Sequence, residues 1–203
     1  MTFFRNYLLE NTSVTEFHNN AIGGKSAKWG NAHKEQWIPR DYDAIFVMLG
    51  TNDRSDCLNQ QEFYTEYAQL LEYAESRCDY LTVLTPIPAI TNTQDGKKNM
   101  DTREISDTVL TLCANRGYPV INCYQDLLRY ALEHGVTLAD YIPTGTHPCH
   151  IGYVAVYRLI MEELGLNPPI GDWFSEEGPA ELLHIGMNRD DIQETTRLTD
   201  LDA

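Results

Sequence analysis

Short apolar runs rich in β-branched residues alternate with segments of helical periodicity along most of this chain, and that alternation limits the fold more than any other feature. The runs are Val14 to His18, Ala44 to Leu49, Leu81 to Leu84 and Val120 to Cys123, each bounded by turn residues, and they read as strands. Between them Phe63, Tyr67, Leu70, Leu71 and Ala74 share one helical face. So do Ile105, Val109, Leu112 and Cys113, and then Leu127, Leu128, Ala131 and Leu132. A last helix is expected from about His150 to Leu164, with Gly165 as its stop. Parallel neighbours need crossovers, and right-handed crossovers lay helices over the sheet. The expected class is therefore α/β, a parallel sheet with helices on both faces and a site at the carboxyl ends of its strands.

Length and charge narrow what such a fold does. The chain of 203 residues suits one domain, taken as residues 1–170, followed by an acidic extension over 171–203. From Asp172 to Ala203 there are nine acidic and two basic side chains, which reads as a tail that packs locally or reaches a partner. The whole chain carries a net charge of -15, a field that repels phosphate backbones and anionic lipid head groups. Neither nucleic acid nor a membrane is the expected partner. Five scattered cysteines without a C-x-x-C pair argue against a disulfide scaffold. The segment from Met1 to Asn11 has no long apolar run, so the chain as written reads as cytoplasmic, with secretion open if the N-terminus is incomplete.

Three loops hold residues suited to chemistry. After the second run comes Gly50-Thr51-Asn52-Asp53, where an amide at a strand end suits donation to a developing oxyanion; the alternative is a turn whose Asn and Asp cap the next helix. After the first run, Gly23-Gly24-Lys25-Ser26 lets backbone approach a bound group. The same letters match the end of a phosphate-binding loop, but Asn19 stands where that pattern needs its first glycine, and Gly50 where a magnesium-binding acid is wanted. Near the other end, Thr144-Gly145-Thr146-His147-Pro148 holds a histidine between a glycine turn and a proline, which suits a general base. His147 with His150 makes at most half a metal site, and no cofactor is expected.

These blocks, in this order, resemble the SGNH (GDSL-like) hydrolase superfamily over about residues 10 to 165. Its Gly-x-Asn-Asp block is met by Gly50, Asn52 and Asp53, its second-block glycine by Gly24, and its His-Pro run by His147 and Pro148. The resemblance implies a flavodoxin-like three-layer α/β/α sandwich and metal-free hydrolysis of small acyl or acetyl esters, including those on carbohydrate. It also implies that the Gly24 N–H and the Asn52 amide form an oxyanion hole with His147 as base.

Two departures qualify that likeness. The family's Gly-Asp-Ser block is absent: none of Ser13, Ser26, Ser55, Ser76, Ser106 and Ser175 follows Gly-Asp, and Ser26 lies beside the proposed hole rather than opposite it. The first strand that carries this block is missing with it, so residues upstream of Met1, or another chain or segment, are expected to fill the slot, unless its two neighbours meet directly. Thr144 stands where the family has the triad acid, leaving Thr144 or Asp140 as possible substitutes. Two readings follow: a serine ester hydrolase whose nucleophile lies elsewhere and which is inactive as this chain, or a non-catalytic domain used for binding or assembly. Trp29 and Trp37, in the loop after Gly24, either stack on a sugar or cover the sheet edge, and loop Ala89 to Thr102 is either a lid or a plain connection.

Overall fold

The computed structural model describes residues 2–90 and 98–166. Strands β1 (Tyr42–Met48), β2 (Cys78–Leu84) and β3 (Val120–Ile121) form one parallel sheet in the order β1-β2-β3. The register sets Tyr42 against Cys78, Val47 against Val83 and Leu84 against Ile121. Helix α5 (Gln60–Glu75) lies between the first two strands in sequence, and α6 (Thr102–Arg116) between the second and third. The other helices are α1 (Thr2–Asn11), α2 (Ala27–Ala32), α3 (Lys34–Trp37), α4 (Asp53–Asp56), α7 (Cys123–Glu133), α8 (Leu138–Tyr141) and α9 (His150–Glu163). This is a mixed α/β fold with a small parallel sheet flanked by helices, as the alternation predicts.

Local chemistry sets the two crossover helices. Asn59 caps α5 by accepting the Glu62 N–H at 3.0 Å. Asp101 and Glu104 form a reciprocal capping box on α6, and Gly117 at φ 74° ends that helix in the left-handed conformation. Their apolar faces, Phe63, Tyr67, Leu70 and Leu71 on α5 and Ile105, Val109 and Leu112 on α6, are buried in one cluster with Val47, Leu81 and Val83 of the sheet. Each such side chain contributes about 1.5–3 kcal/mol relative to exposure, so this cluster dominates the fold's stability. A second cluster joins Leu127, Tyr130 and Ala131 of α7 to Tyr141, Ile142, Ala155, Val156 and Leu159. At Gly152 a Cβ would run into the Tyr141 carbonyl oxygen, so only glycine lets α9 lie this close to the end of α8.

The described residues divide into two compact units, one of Gly24–Ile160 and one of residues 2–23 with 161–166. In the latter, Thr12 closes α1 by donating its hydroxyl to the Leu8 carbonyl at 2.6 Å, and Phe4 meets Phe17 edge-on at 6.1 Å. Val14 to His18, expected as a strand, forms none: residues 14–22 have no regular secondary structure. The correction has a simple cause. A β-branched run becomes a strand only when a neighbour supplies its ladder, and among the described residues β2 is the one strand beside β1. The acidic extension lies outside the described residues.

Candidate active site

The turn after β1 organises the site. Gly50 has φ +123°, and a Cβ there would strike Ile105 and meet Pro86 at 3.2 Å, so the backbone passes against α6 only because the residue is glycine. Beyond it, two consecutive side chains reach one remote segment, at Lys25 and Ala27, while the third bonds within its own turn. The Asn52 amide donates to the Lys25 carbonyl at 2.9 Å. Both oxygens of Asp53 accept the Ala27 N–H, at 2.9 and 3.0 Å. Arg54 donates its Nε to the Thr51 carbonyl at 2.9 Å, while its own carbonyl accepts the Asn99 N–H at 2.7 Å.

Asp53 and Arg54 are ionisable and buried, at 0% and 1% exposure. Burial pushes the Asp53 carboxyl up, and hydrogen bonds from the Ala27 and Lys28 N–H groups pull it back. The Cys57 thiol, pushed up to about 12 by burial and then by the Asp53 charge, also points at this carboxylate, 3.7 Å from Oδ1. Burial lowers the Arg54 guanidinium, with the Asp101 charge opposing it. The alternative in which Asn52 and Asp53 cap the helix that follows does not hold. Asn52 makes no side-chain cap on α4, and Asp53 instead caps α2, 26 residues upstream.

Gly24 stands in an exposed turn at φ +77°, a backbone shape that glycine adopts without strain. The next residues are fixed: Lys25 by the Asn52 amide and Ala27 by Asp53. Ser26 is fully buried and its hydroxyl oxygen accepts the Trp29 N–H at 3.1 Å as the cap of α2, which occupies it structurally and removes it as an attacking group. The tryptophans stand on α2 and α3 rather than in a loop. Trp29 stacks on His33 with ring centroids 4.3 Å apart, meets Trp37 at 6.0 Å and has the Lys25 ammonium 4.5 Å from its centroid.

His147 is exposed, on the segment before α9. The Thr144 hydroxyl accepts the His147 N–H at 3.0 Å and donates to the His147 carbonyl at 3.2 Å, so it holds the backbone rather than the ring. Asp140 accepts both the N–H and the hydroxyl of Thr137 at 2.7 Å, and these bonds hold its carboxyl below the usual range. Gly145 accepts the Ile90 N–H at 2.8 Å, which ties the segment to the loop after β2. The structure thus joins Gly24's turn to Asn52 directly. Among the described residues no hydrogen bond links the His147 ring to Thr144, Asp140 or Asn52. No cluster of three metal-binding side chains occurs among the described residues. In the expected lid, Lys98 donates to the Ser55 hydroxyl at 2.7 Å, and residues 91–97 lie outside the described residues.

Residues 2–155 match the GDSL-like lipase/acylhydrolase family. The chain belongs to that family. Among solved structures it is similar to Axe2, an acetylxylan esterase from Geobacillus stearothermophilus, at 17% identity and TM-score 0.66, over 81% of this chain and 80% of that one. It is also similar to a member of the lipolytic protein G-D-S-L family from Veillonella parvula, at 19% identity and TM-score 0.62, over 78% and 85%. At these identities the likeness is one of fold, and it agrees with the SGNH architecture expected from the motifs. No curated protein matches the chain. Among the described residues no helix is long and apolar enough to cross a membrane.

Sequence reasoning missed the grip of Asp53 on Ala27. The acid was visible as the last letter of its block, but the partner is remote in sequence, and no local pattern encodes a cap supplied from that distance.

Proposed function

We propose that this chain carries the oxyanion hole and general base of an esterase acting on small acyl esters, acetyl groups on carbohydrate first among them. In this reading the attacking hydroxyl comes from outside these 203 residues. The observation that carries it is the 2.9 Å bond from the Asn52 amide to the Lys25 carbonyl. It holds one N–H of the amide beside the Gly24 turn and leaves the second for a substrate oxygen. The hydroxyl adds to the ester carbon while His147 takes its proton, and the Gly24 N–H and Asn52 amide stabilise the oxyanion. The intermediate collapses, His147 returns the proton to the departing alcohol, and water repeats the cycle to release the acid. The name of the Geobacillus neighbour, an acetylxylan esterase, supports the choice of substrate.

A second reading, a non-catalytic binding or assembly domain, is favoured by one observation: Thr144 and Asp140 spend their polar atoms on backbone and Thr137 rather than on the imidazole. Hydrolysis of p-nitrophenyl acetate and acetylated xylooligosaccharides separates the two. The 203-residue chain is expected to show little turnover, and the product of the reading frame extended upstream to show turnover that His147→Ala abolishes. An upstream frame without Gly-Asp-Ser, or turnover indifferent to His147→Ala, overturns the esterase reading.

A further inference from the structure

Asp53 is fully buried, yet the proposed chemistry gives it no task. Its carboxylate is spent on the start of α2: both oxygens take the Ala27 N–H, and the Lys28 N–H bonds to it as well. The same helix start is capped from the other side by Ser26, whose hydroxyl oxygen holds the Trp29 N–H. Gly24 lies directly before this capped turn. Its neighbour Lys25 is held by Asn52, the residue adjoining Asp53. The turn is therefore gripped at Lys25 and Ala27 by two consecutive side chains of one loop, with Gly24 at the open end of the grip.

We propose that Asp53 is the positioning residue of the oxyanion turn, fixing the Gly24 N–H by anchoring the backbone at Ala27 while Asn52 anchors it at Lys25. This rests on the reading of Gly24 as an oxyanion donor, but it makes a claim about rigidity that holds with no substrate present. A glycine at positive φ in an exposed turn has little to hold it locally. Two anchors within three residues leave it few conformations. Asparagine at position 53 keeps one acceptor oxygen and replaces the other by an N–H donor, so the Ala27 and Lys28 N–H groups must share a single oxygen, and the grip weakens without emptying the space.

The test is amide relaxation and hydrogen exchange by NMR on the 203-residue chain, wild type against Asp53→Asn and Asp53→Ala. In the wild type the Gly24 amide is expected to show a rigid order parameter, about 0.85. In Asp53→Ala it should fall below about 0.6, the range of flexible backbone. Asp53→Asn is expected to lie between, with Ala27 and Lys28 exchanging roughly tenfold faster while α5 and β2 keep their protection. If Asp53→Ala does not fold, Asp53→Asn carries the comparison alone. An unchanged Gly24 order parameter, with exchange faster at Ala27 and Lys28 only, would reduce Asp53 to a helix cap and overturn the proposal. Loss of protection spread through α5 and β2 would also overturn it, by making Asp53 a residue of general stability. Absence of esterase activity leaves these readouts unaffected and bears on the functional reading alone.

Discussion

The Asn52 side of the site and the His147 side are built by different means. Around Asn52, Gly50 is wedged against Ile105, Asp53 and Arg54 are buried, and Asn52 and Asp53 bond to backbone 27 and 26 residues away, at Lys25 and Ala27. Around His147, Thr144 and Asp140 bond within their own few residues, and the imidazole is exposed. The first arrangement holds geometry through long-range contacts in a buried setting, where a lost bond is costly. The second holds a loop shape and leaves the ring's direction to rotamer choice. An oxyanion hole needs donors fixed in advance, whereas an exposed base awaits an orienting partner. In the proposed reading, the contrast means that the fold as it stands prepares the donor side and leaves the base side to be oriented.

The largest expected effect tests how tightly the first side is built. Gly50→Ala adds a Cβ against Ile105 and Pro86 at φ +123°, combining overpacking with left-handed strain. A loss of about 3 kcal/mol or more is expected from the urea midpoint at unchanged slope. A loss under about 1 kcal/mol would show that the loop moves aside, and would remove the rigidity claimed for it.

Gly152→Ala is the matching test on the second side. The obstacle there is the Tyr141 carbonyl, but the position is helical, so alanine recovers about 1 kcal/mol of helix propensity. A net loss of about 1–2 kcal/mol is expected in the same measurement. A loss larger than that of Gly50→Ala would reverse the comparison.

The charge of Asp53 sharpens the contrast through pH. Burial raises its carboxyl above the ordinary value, against the pull of the Ala27 and Lys28 N–H groups. A raised acid pKa means that the folded protein holds this proton more tightly than the unfolded chain does. The associated stability is present below about pH 4 and is lost as pH rises through the folded value. Wild type minus Asp53→Asn should therefore become less favourable from pH 4 toward 7, with the two within about 1 kcal/mol at neutrality. Urea unfolding at several pH values reads the slope, and a slope of the opposite sign would mean that the backbone bonds outweigh desolvation.

Legibility in the sequence followed the range of the interactions. Helices α5, α6 and α7 and the three strands were readable because apolar periodicity and turn residues are local signals. The buried faces of α5 and α6 are those the periodicity marks, whereas on α7 Leu127 and Ala131 are buried as expected but Leu132 is exposed and Tyr130 takes the inner position instead. Gly24 and Asn52 were readable as motif letters, and the bond between Asn52 and Lys25 puts those letters side by side. Val14 to His18 misled because its composition is strand-like while its pairing depends on a neighbour that no local pattern can supply. The short helices α2 and α3 were read as loop, since six and four residues are too few to show a period. The local-cap reading, one of the two open for the Asn52–Asp53 turn, fails because the partner of Asp53, Ala27, is set by tertiary packing and not by neighbouring letters.

The smallest expected effect falls on Thr144. Its hydroxyl makes two bonds to the backbone of His147, at 3.0 and 3.2 Å, in an exposed turn where water replaces a lost partner. Thr144→Ala is expected to cost about 0.5 kcal/mol in urea unfolding, well below Gly50→Ala. Should the loss instead approach that of the Gly50 variant, the segment before α9 would be as firmly built as the turn after β1. The His147 backbone would then be fixed, but the direction of its ring would still rest on rotamer choice, and the imidazolium would still want an anionic partner.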